Sequence, residues 1–175
     1  MLRHYPRLHP AAGLGMIQTM KRAEIFLSNP DTTADLAQMI APQLNMGDVV
    51  LLHGNIGAGK SHFARALILS RLDAPEDIPS PTFTLVQTYD ARGVEIWHAD
   101  LYRLSAVDEV YELGLIDAFE EAICLIEWPD RLERAAPHSA LNIEFTPNED
   151  GSARHATLWA SAPRWDALID RVAAV

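Results

Sequence analysis

The segment Gly54-Asn55-Ile56-Gly57-Ala58-Gly59-Lys60-Ser61 follows the pattern G-x-x-x-x-G-K-[ST], and its residue types suit one kind of chemistry. The glycines let backbone N–H groups converge on phosphate oxygens with no Cβ in the way. A lysine at that position reaches the β- and γ-phosphates of a nucleoside triphosphate, and the serine hydroxyl offers a ligand to the accompanying Mg²⁺. Gly57, Ala58, Gly59, Lys60, Ser61 and His62 are therefore the candidate phosphate cradle, and Ser61 the first candidate metal ligand. The pattern alone fixes few positions, so context decides whether it carries meaning. Here the continuously apolar run Val49-Val50-Leu51-Leu52 enters the loop, and a helical pattern with Phe63, Leu67 and Ile68 leaves it. A strand feeding a helix N-terminus is what phosphate binding requires, because the helix dipole adds its positive end there.

A loop of this kind needs an acid at the end of a neighbouring strand to hold the metal or its waters. Glu127 ends the apolar run Ile123-Cys124-Leu125-Ile126, and Asp100 ends the segment Val94 to Ala99. A carboxylate after a strand is more often a helix cap or a solvated turn. The upstream loop favours the metal role for Glu127, and it leaves Asp100 open between catalysis and capping. His98 is expected to be structural. Tyr102 and Arg103 read equally well as packing and surface residues. Ser80-Pro81-Thr82 lies in a proline-stiffened loop that a γ-phosphate could order, with an ordinary strand entry as the equal alternative.

The elements that must position these groups follow from periodicity. Ala23 to Leu27 reads as a strand, Asn29-Pro30-Asp31 as a turn, and Thr32 with Asp35 as a capping box opening a helix with Leu36, Met39, Ile40 and Leu44 on one stripe. The helix after the loop is expected from about residue 60 to 72, and residues 73–81, with three prolines, form a loop. Thr82 to Tyr89 and Val94 to Ala99 are expected as strands of an antiparallel hairpin around Asp90-Ala91-Arg92-Gly93. Ser105 with Asp108 is expected to cap a short helix ended by Gly114, and Ala122 to Trp128 to form a buried strand. Two further strands, through Leu141-Ile143-Phe145 and Thr157 to Trp159, precede a closing amphipathic helix entered at Pro163. No internal repeat or linker interrupts this order. The expected fold is α/β: a single three-layer P-loop NTPase domain with a mixed sheet over residues 23–175, preceded at 1–22 by a disordered tail or an upstream translation start.

Composition narrows the function. Fourteen basic against twenty-four acidic residues leave a net charge of −10 in a 175-residue chain, and such a balance disfavours direct nucleic-acid binding, which needs a cationic face to displace counterions. Any nucleic-acid role is then exercised through protein partners. The single cysteine, Cys124, lies in an apolar run and reads as a buried strand residue. No apolar run approaches the ~18 residues of a membrane span, and the expected location is cytoplasmic.

Four segments taken in order make a more specific pattern. These are Leu52-His53-Gly54-Asn55-Ile56-Gly57-Ala58-Gly59-Lys60-Ser61, Ser80-Pro81-Thr82-Phe83-Thr84-Leu85, His98-Ala99-Asp100-Leu101-Tyr102-Arg103-Leu104 and Ile126-Glu127-Trp128-Pro129. The set resembles the TsaE (YjeE) family of small bacterial ATPases, over roughly residues 23 to 172. The resemblance implies a role in forming N6-threonylcarbamoyladenosine in tRNAs that read codons beginning with A. It implies ATP as substrate, Mg²⁺ as cofactor and the TsaB–TsaD heterodimer as partner, with tRNA met only through that complex and TsaD, not this chain, as the transferase. By position, Lys60 matches the phosphate lysine, Ser61 the metal hydroxyl, Glu127 the metal-side glutamate and Asp100 the aspartate near the attacking water. Trp128 and Pro129 match a pair flanking the site. Asn55 stands where the family commonly has an acid, and His62 where it commonly has threonine or serine; neither change removes a required group.

The chemistry these residues imply is attack of water on the γ-phosphate, with Lys60 neutralising developing charge and Asp100 orienting or deprotonating the water. No arginine lies in the loop itself, so slow turnover by the isolated protein is expected. Two rivals share the loop. A small-molecule kinase would carry a mobile lid bearing arginines, whereas Asp73 to Ser80 is acidic and proline-bearing. A nucleotide-sensing interaction module would bind ATP without using hydrolysis.

Overall fold

The computed structural model describes residues 20–175. Its centre is a seven-stranded sheet of β1 (Lys21–Leu27), β2 (Val49–His53), β3 (Val86–Ala91), β4 (Val94–Asp100), β5 (Ile123–Glu127), β6 (Leu141–Pro147) and β7 (Arg154–Ala160). The spatial order is β1-β7-β6-β2-β5-β4-β3. β2 runs parallel to β5 and β6, and β4 parallel to β5, while the β3–β4, β6–β7 and β1–β7 pairs are antiparallel. The sheet is mixed, as expected. β1 begins at Lys21, two residues before the expected start. The tail or upstream start expected at the N-terminus falls, for residues 1–19, outside the described residues.

Helices cover both faces. α1 (Pro30–Ile40), α2 (Lys60–Arg71) and α5 (Asp166–Ala173) pack one cluster with Val50, Leu52, Ile96, Ile123, Leu125, Ile143 and Phe145. α3 (Asp108–Glu112) and α4 (Leu115–Glu121) pack the other with Val49, Leu51, Ala99, Cys124 and Ile126. The near-continuous apolar character of β2 and β5 follows from this, since alternate residues enter opposite covered faces. These layers carry the site. His98 and Asp100 share the alternation of Ile96, and Glu127 shares that of Ile123 and Leu125, so all three side chains emerge on the α2 face. Arg154 shares the alternation of Ala156 and Leu158 and emerges there too.

Four local expectations are corrected. The cap of α1 is Asn29, whose side chain accepts from Thr32 N at 2.9 Å while Asn29 N donates to Thr32 Oγ1 at 3.3 Å. Pro30 then takes the first helical position, where a missing N–H costs nothing, and the box lies three residues before the one expected from Thr32 to Asp35. β3 starts at Val86 rather than Thr82: residues 81–84 form a turn closed by Leu85 N donating to Pro81 O at 2.7 Å. Leu85 is left-handed there (φ 66°) and Phe83 stands 85% exposed, so the apparent alternation was not a strand's. Ser105 pairs with Glu109 and not Asp108, its N–H and hydroxyl both donating to Glu109 Oε1, at 3.0 and 2.8 Å. Gly114, expected as a helix end, is also the left-handed entry to α4, a helix missed in the sequence because Leu115–Glu121 is only two turns long.

The β3–β4 hairpin matches expectation. Its two linking residues, Arg92 and Gly93, both have positive φ (60° and 82°), the geometry that matches the twist of the flanking strands. No helix among the described residues is long and apolar enough to cross a membrane.

Candidate nucleotide site

The glycine-rich loop connects β2 to α2, and its backbone explains its composition. Gly54, Gly57 and Gly59 have φ of 129°, 78° and 111°, values that side chains adopt only with strain. At Gly54 a Cβ would also stand 2.6 Å from the Phe145 carbonyl oxygen, because β6 passes directly behind the loop. Ala58, within the loop, is fully buried. The first-turn N–H groups of α2 have no partners within the helix, and with the dipole they make this end of the helix suited to an anion. His62 lies in that turn, but its ring faces α1, with Nε2 2.9 Å from the Pro30 carbonyl oxygen. What His62 offers a phosphate is therefore its backbone.

Lys60 is buried, its ammonium donating to the carbonyls of Gly54 (2.6 Å) and Asn55 (2.9 Å). Burial lowers its pKa from the usual 10.5, against the opposing pull of Glu127 and Asp100. The ammonium also lies 4.1 Å from the centre of the Trp128 ring, a favourable cation–π contact. Trp128 reaches it from a left-handed backbone (φ 59°, ψ 52°) before Pro129 and packs its ring 4.8 Å from that of Tyr102. An aromatic residue held left-handed costs of order 1–3 kcal/mol, so the surrounding structure enforces the placement. This gives Trp128 a physical role that its sequence position did not disclose.

The two acids end adjacent strands in register: Asp100 is the ladder partner of Glu127. Both are buried. Glu127 Oε2 accepts from Ser61 Oγ at 2.9 Å, and Oε1 lies 2.9 Å from His98 Nε2. His98 is itself buried, and its Nδ1 has no hydrogen-bond partner. The structural role expected for His98 thus takes a definite form: it holds the second oxygen of Glu127. Asp100 Oδ2 accepts from Thr82 Oγ1 at 2.9 Å, and Oδ1 from the backbone N–H of Tyr102 at 3.0 Å. Thr82 is in turn 2.8 Å from Ser80 Oγ. The Ser80-Pro81-Thr82 segment therefore delivers a hydroxyl to Asp100, while Arg103 stays outside, 5.9 Å from the Phe83 ring.

Ile56, Gly57, Lys60, Ser61, Thr82, Asp100, Tyr102, Glu127 and Trp128 enclose a cavity of about 200 Å³. That is below the ~300–1,000 Å³ of a pocket that swallows a whole small molecule, and suits phosphates and an ion with the nucleoside outside. The donors fit a small hard cation. One hydroxyl and one carboxylate oxygen lie side by side, and no cluster of three His, Cys, Asp or Glu side chains capable of caging a metal occurs among the described residues. Mg²⁺ is commonly held in this way, by one or two protein oxygens plus water and substrate phosphates.

One residue outside the four sequence segments also reaches the loop. Arg154, the first residue of β7, donates from Nη1 to the carbonyl oxygen of Ala58 at 2.9 Å. Its only sequence signal was a cation in strand alternation with apolar neighbours, which by itself marks no site.

A mixed sheet between helix layers, with a glycine-rich loop leading from a central strand into a buried helix, defines a P-loop NTPase fold. A family model described as "Threonylcarbamoyl adenosine biosynthesis protein TsaE" matches residues 27–156, and the chain belongs to the TsaE family, whose members take part in tRNA threonylcarbamoyladenosine biosynthesis. The proteins named tRNA threonylcarbamoyladenosine biosynthesis protein TsaE from Rickettsia felis and Bacillus subtilis are similar to it. The first is 39% identical over 122 residues, covering 69% of this chain and 71% of its own. The second is 31% identical over 154 residues, covering 87% and 95%. The crystal structure of Bacillus subtilis YdiB superposes with a TM-score of 0.71 at 26% identity, over 89% of this chain and 97% of that one.

Proposed function

We propose that this chain hydrolyses ATP with Mg²⁺ and, in the cytoplasm, supports the TsaB–TsaD heterodimer in forming N6-threonylcarbamoyladenosine in tRNAs that read ANN codons. The observation that carries the hydrolytic reading is the in-register pair of buried acids beside the loop, one bonded to Ser61 and the other free of it. Family membership supports the pathway. The partner follows from the sequence resemblance, and the net charge of −10 favours reaching tRNA through other proteins.

The loop N–H groups and Lys60 bind and neutralise the phosphate oxygens, and the transfer of negative charge to the β–γ bridge in the transition state strengthens those contacts. Mg²⁺, when bound, supplies further charge neutralisation at the phosphates, and Ser61 and Glu127 are the residues that would hold it. His98 keeps Glu127 turned toward Ser61. Asp100 orients the attacking water and accepts its proton at the carboxylate. Trp128 covers the Lys60 ammonium and limits its access to bulk water. A kinase would need an arginine-bearing lid over the acceptor; residues 72–80 contain no arginine and no helix.

Reconstituted tRNA modification with wild-type and Lys60→Ala protein tests this reading. Loss of multiple-turnover modification with Lys60→Ala is the expected result, with ATP hydrolysis by the wild type accelerated when TsaB–TsaD is added. Full modification by Lys60→Ala, or phosphate retained on a metabolite, would overturn it.

A further inference from the structure

The wall of the phosphate loop opposite the two acids is built by β6 and β7, and Arg154 stands at its end. Arg154 pairs across the ladders with Leu27 on one side and Pro147 on the other, which places it over the α2 end of the sheet. From there Nη1 bonds the Ala58 carbonyl at 2.9 Å. A Cβ built on Gly59 would overlap that same Nη1. The guanidinium thus occupies the volume a side chain at position 59 would fill. Its Nε is buried with no partner, although buried donors are nearly always paired. The side chain is placed by its contact with the loop, at the expense of a donor left unmet.

The contact acts on a particular peptide. The unit joining Ala58 to Gly59 is planar, with its C=O and N–H pointing in opposite directions. Fixing the Ala58 carbonyl outward toward Arg154 fixes the Gly59 N–H inward, toward the hollow where the loop's donors converge. A charged donor makes a stronger hydrogen bond than a neutral one, and in a chain of net charge −10 a second cation at the loop offsets long-range repulsion of a polyphosphate. We propose that Arg154 is a positioning residue for the phosphate groups of the nucleotide: it clamps the Ala58–Gly59 peptide from behind and presets the loop for anion binding. This rests on the reading of the site as one for ATP. It requires glycine at position 59 for two separate reasons, the positive φ and the space taken by the guanidinium.

The test uses the full-length chain with Arg154→Met and Arg154→Lys, and competition against a fluorescent ATP analogue by MgATP and by magnesium tripolyphosphate. The Met variant is expected to bind both competitors about tenfold more weakly, the size of one charge-assisted hydrogen bond. The Lys variant, which keeps the charge but not the planar fork, should fall between Met and wild type. Turnover at saturating ATP is expected to fall by less than the affinity for either competitor, because the clamp acts through the loop and touches no reacting atom. Unchanged affinity in the Met variant overturns the proposal. So does a loss confined to MgATP with tripolyphosphate unaffected, since that would place Arg154 at the nucleoside. If the Met variant does not fold, the Lys variant decides: weaker binding of both competitors supports the clamp, and unchanged binding sinks it. Failure of the wild-type chain to bind ATP at all would instead sink the parent reading together with this one.

Discussion

Glu127 and Asp100 sit side by side at the ends of parallel strands, yet they are held in different ways. Glu127 is tied on one oxygen to Ser61 of α2 and on the other to the buried His98 of β4. Both anchors sit on regular elements, the buried His98 on β4 and the half-buried Ser61 on α2. Asp100 is tied on one oxygen to Thr82, in the turn between α2 and β3, and on the other to the backbone two residues ahead. That turn projects Phe83 into solvent and contains a left-handed leucine. One acid is fixed between a helix and a strand, and the other by a turn that lies outside the regular elements. A group that holds a metal gains from rigidity, whereas a group that acts on water in only part of a cycle gains from an anchor that can be released.

Substitutions can break this comparison, and the largest effect is expected at Asp100. In Asp100→Asn, ATP turnover should drop by about 10²–10⁴, with MgATP affinity within about threefold of wild type; phosphate release and equilibrium binding measure the two. Next comes His98→Asn. If His98 orients Glu127, the Mg²⁺ concentration for half-maximal activity should rise by about tenfold or more, the usual size for removing the partner of a metal-side ligand. An unchanged Mg²⁺ requirement would reduce His98 to a packing residue. Smaller again is Thr82→Val, which removes one hydroxyl from Asp100 and should change turnover by about fivefold, or ~1 kcal/mol, without altering the Mg²⁺ requirement.

The smallest effect concerns Lys60 in the free protein. Its pKa is lowered by burial, so the unfolded chain binds this proton more tightly than the folded one. The charged form therefore destabilises the fold at neutral pH, and the penalty fades as pH rises through the lowered pKa toward 10.5. The stability of the wild type relative to Lys60→Met, read from urea midpoints, should therefore rise between pH 7 and pH 10. A relative stability that falls over that range would contradict the sign.

How far the sequence disclosed this arrangement depended on how local each determinant was. The loop and Glu127 were legible because strand runs ending in glycine or a carboxylate need no knowledge of distant partners, whereas Asp100 stayed open between catalysis and capping apart from the four-segment resemblance. The turn holding Thr82 was mistaken for strand because alternation of apolar and polar residues does not reveal a left-handed Leu85. The helix Leu115–Glu121 was too short to show a period. Asn29 is hidden as a cap because Asn29-Pro30-Asp31 has the composition of a turn, and only the backbone shows Pro30 at the first helical position. Arg154 could not be assigned at all, since its partner Ala58 lies ninety-six residues away and no motif joins them. The same holds for the pairing of Lys60 with Trp128. Contacts between sheet neighbours distant in the chain leave no local trace.

The rate of phosphate release as a function of Mg²⁺ concentration, measured for wild type, Asp100→Asn and Glu127→Gln, tests the division of labour most directly. The Asp100 variant is predicted to lower the plateau and keep the midpoint. The Glu127 variant is predicted to move the midpoint upward by about 10–100-fold. Two variants that shift the same parameter by the same amount would contradict the account.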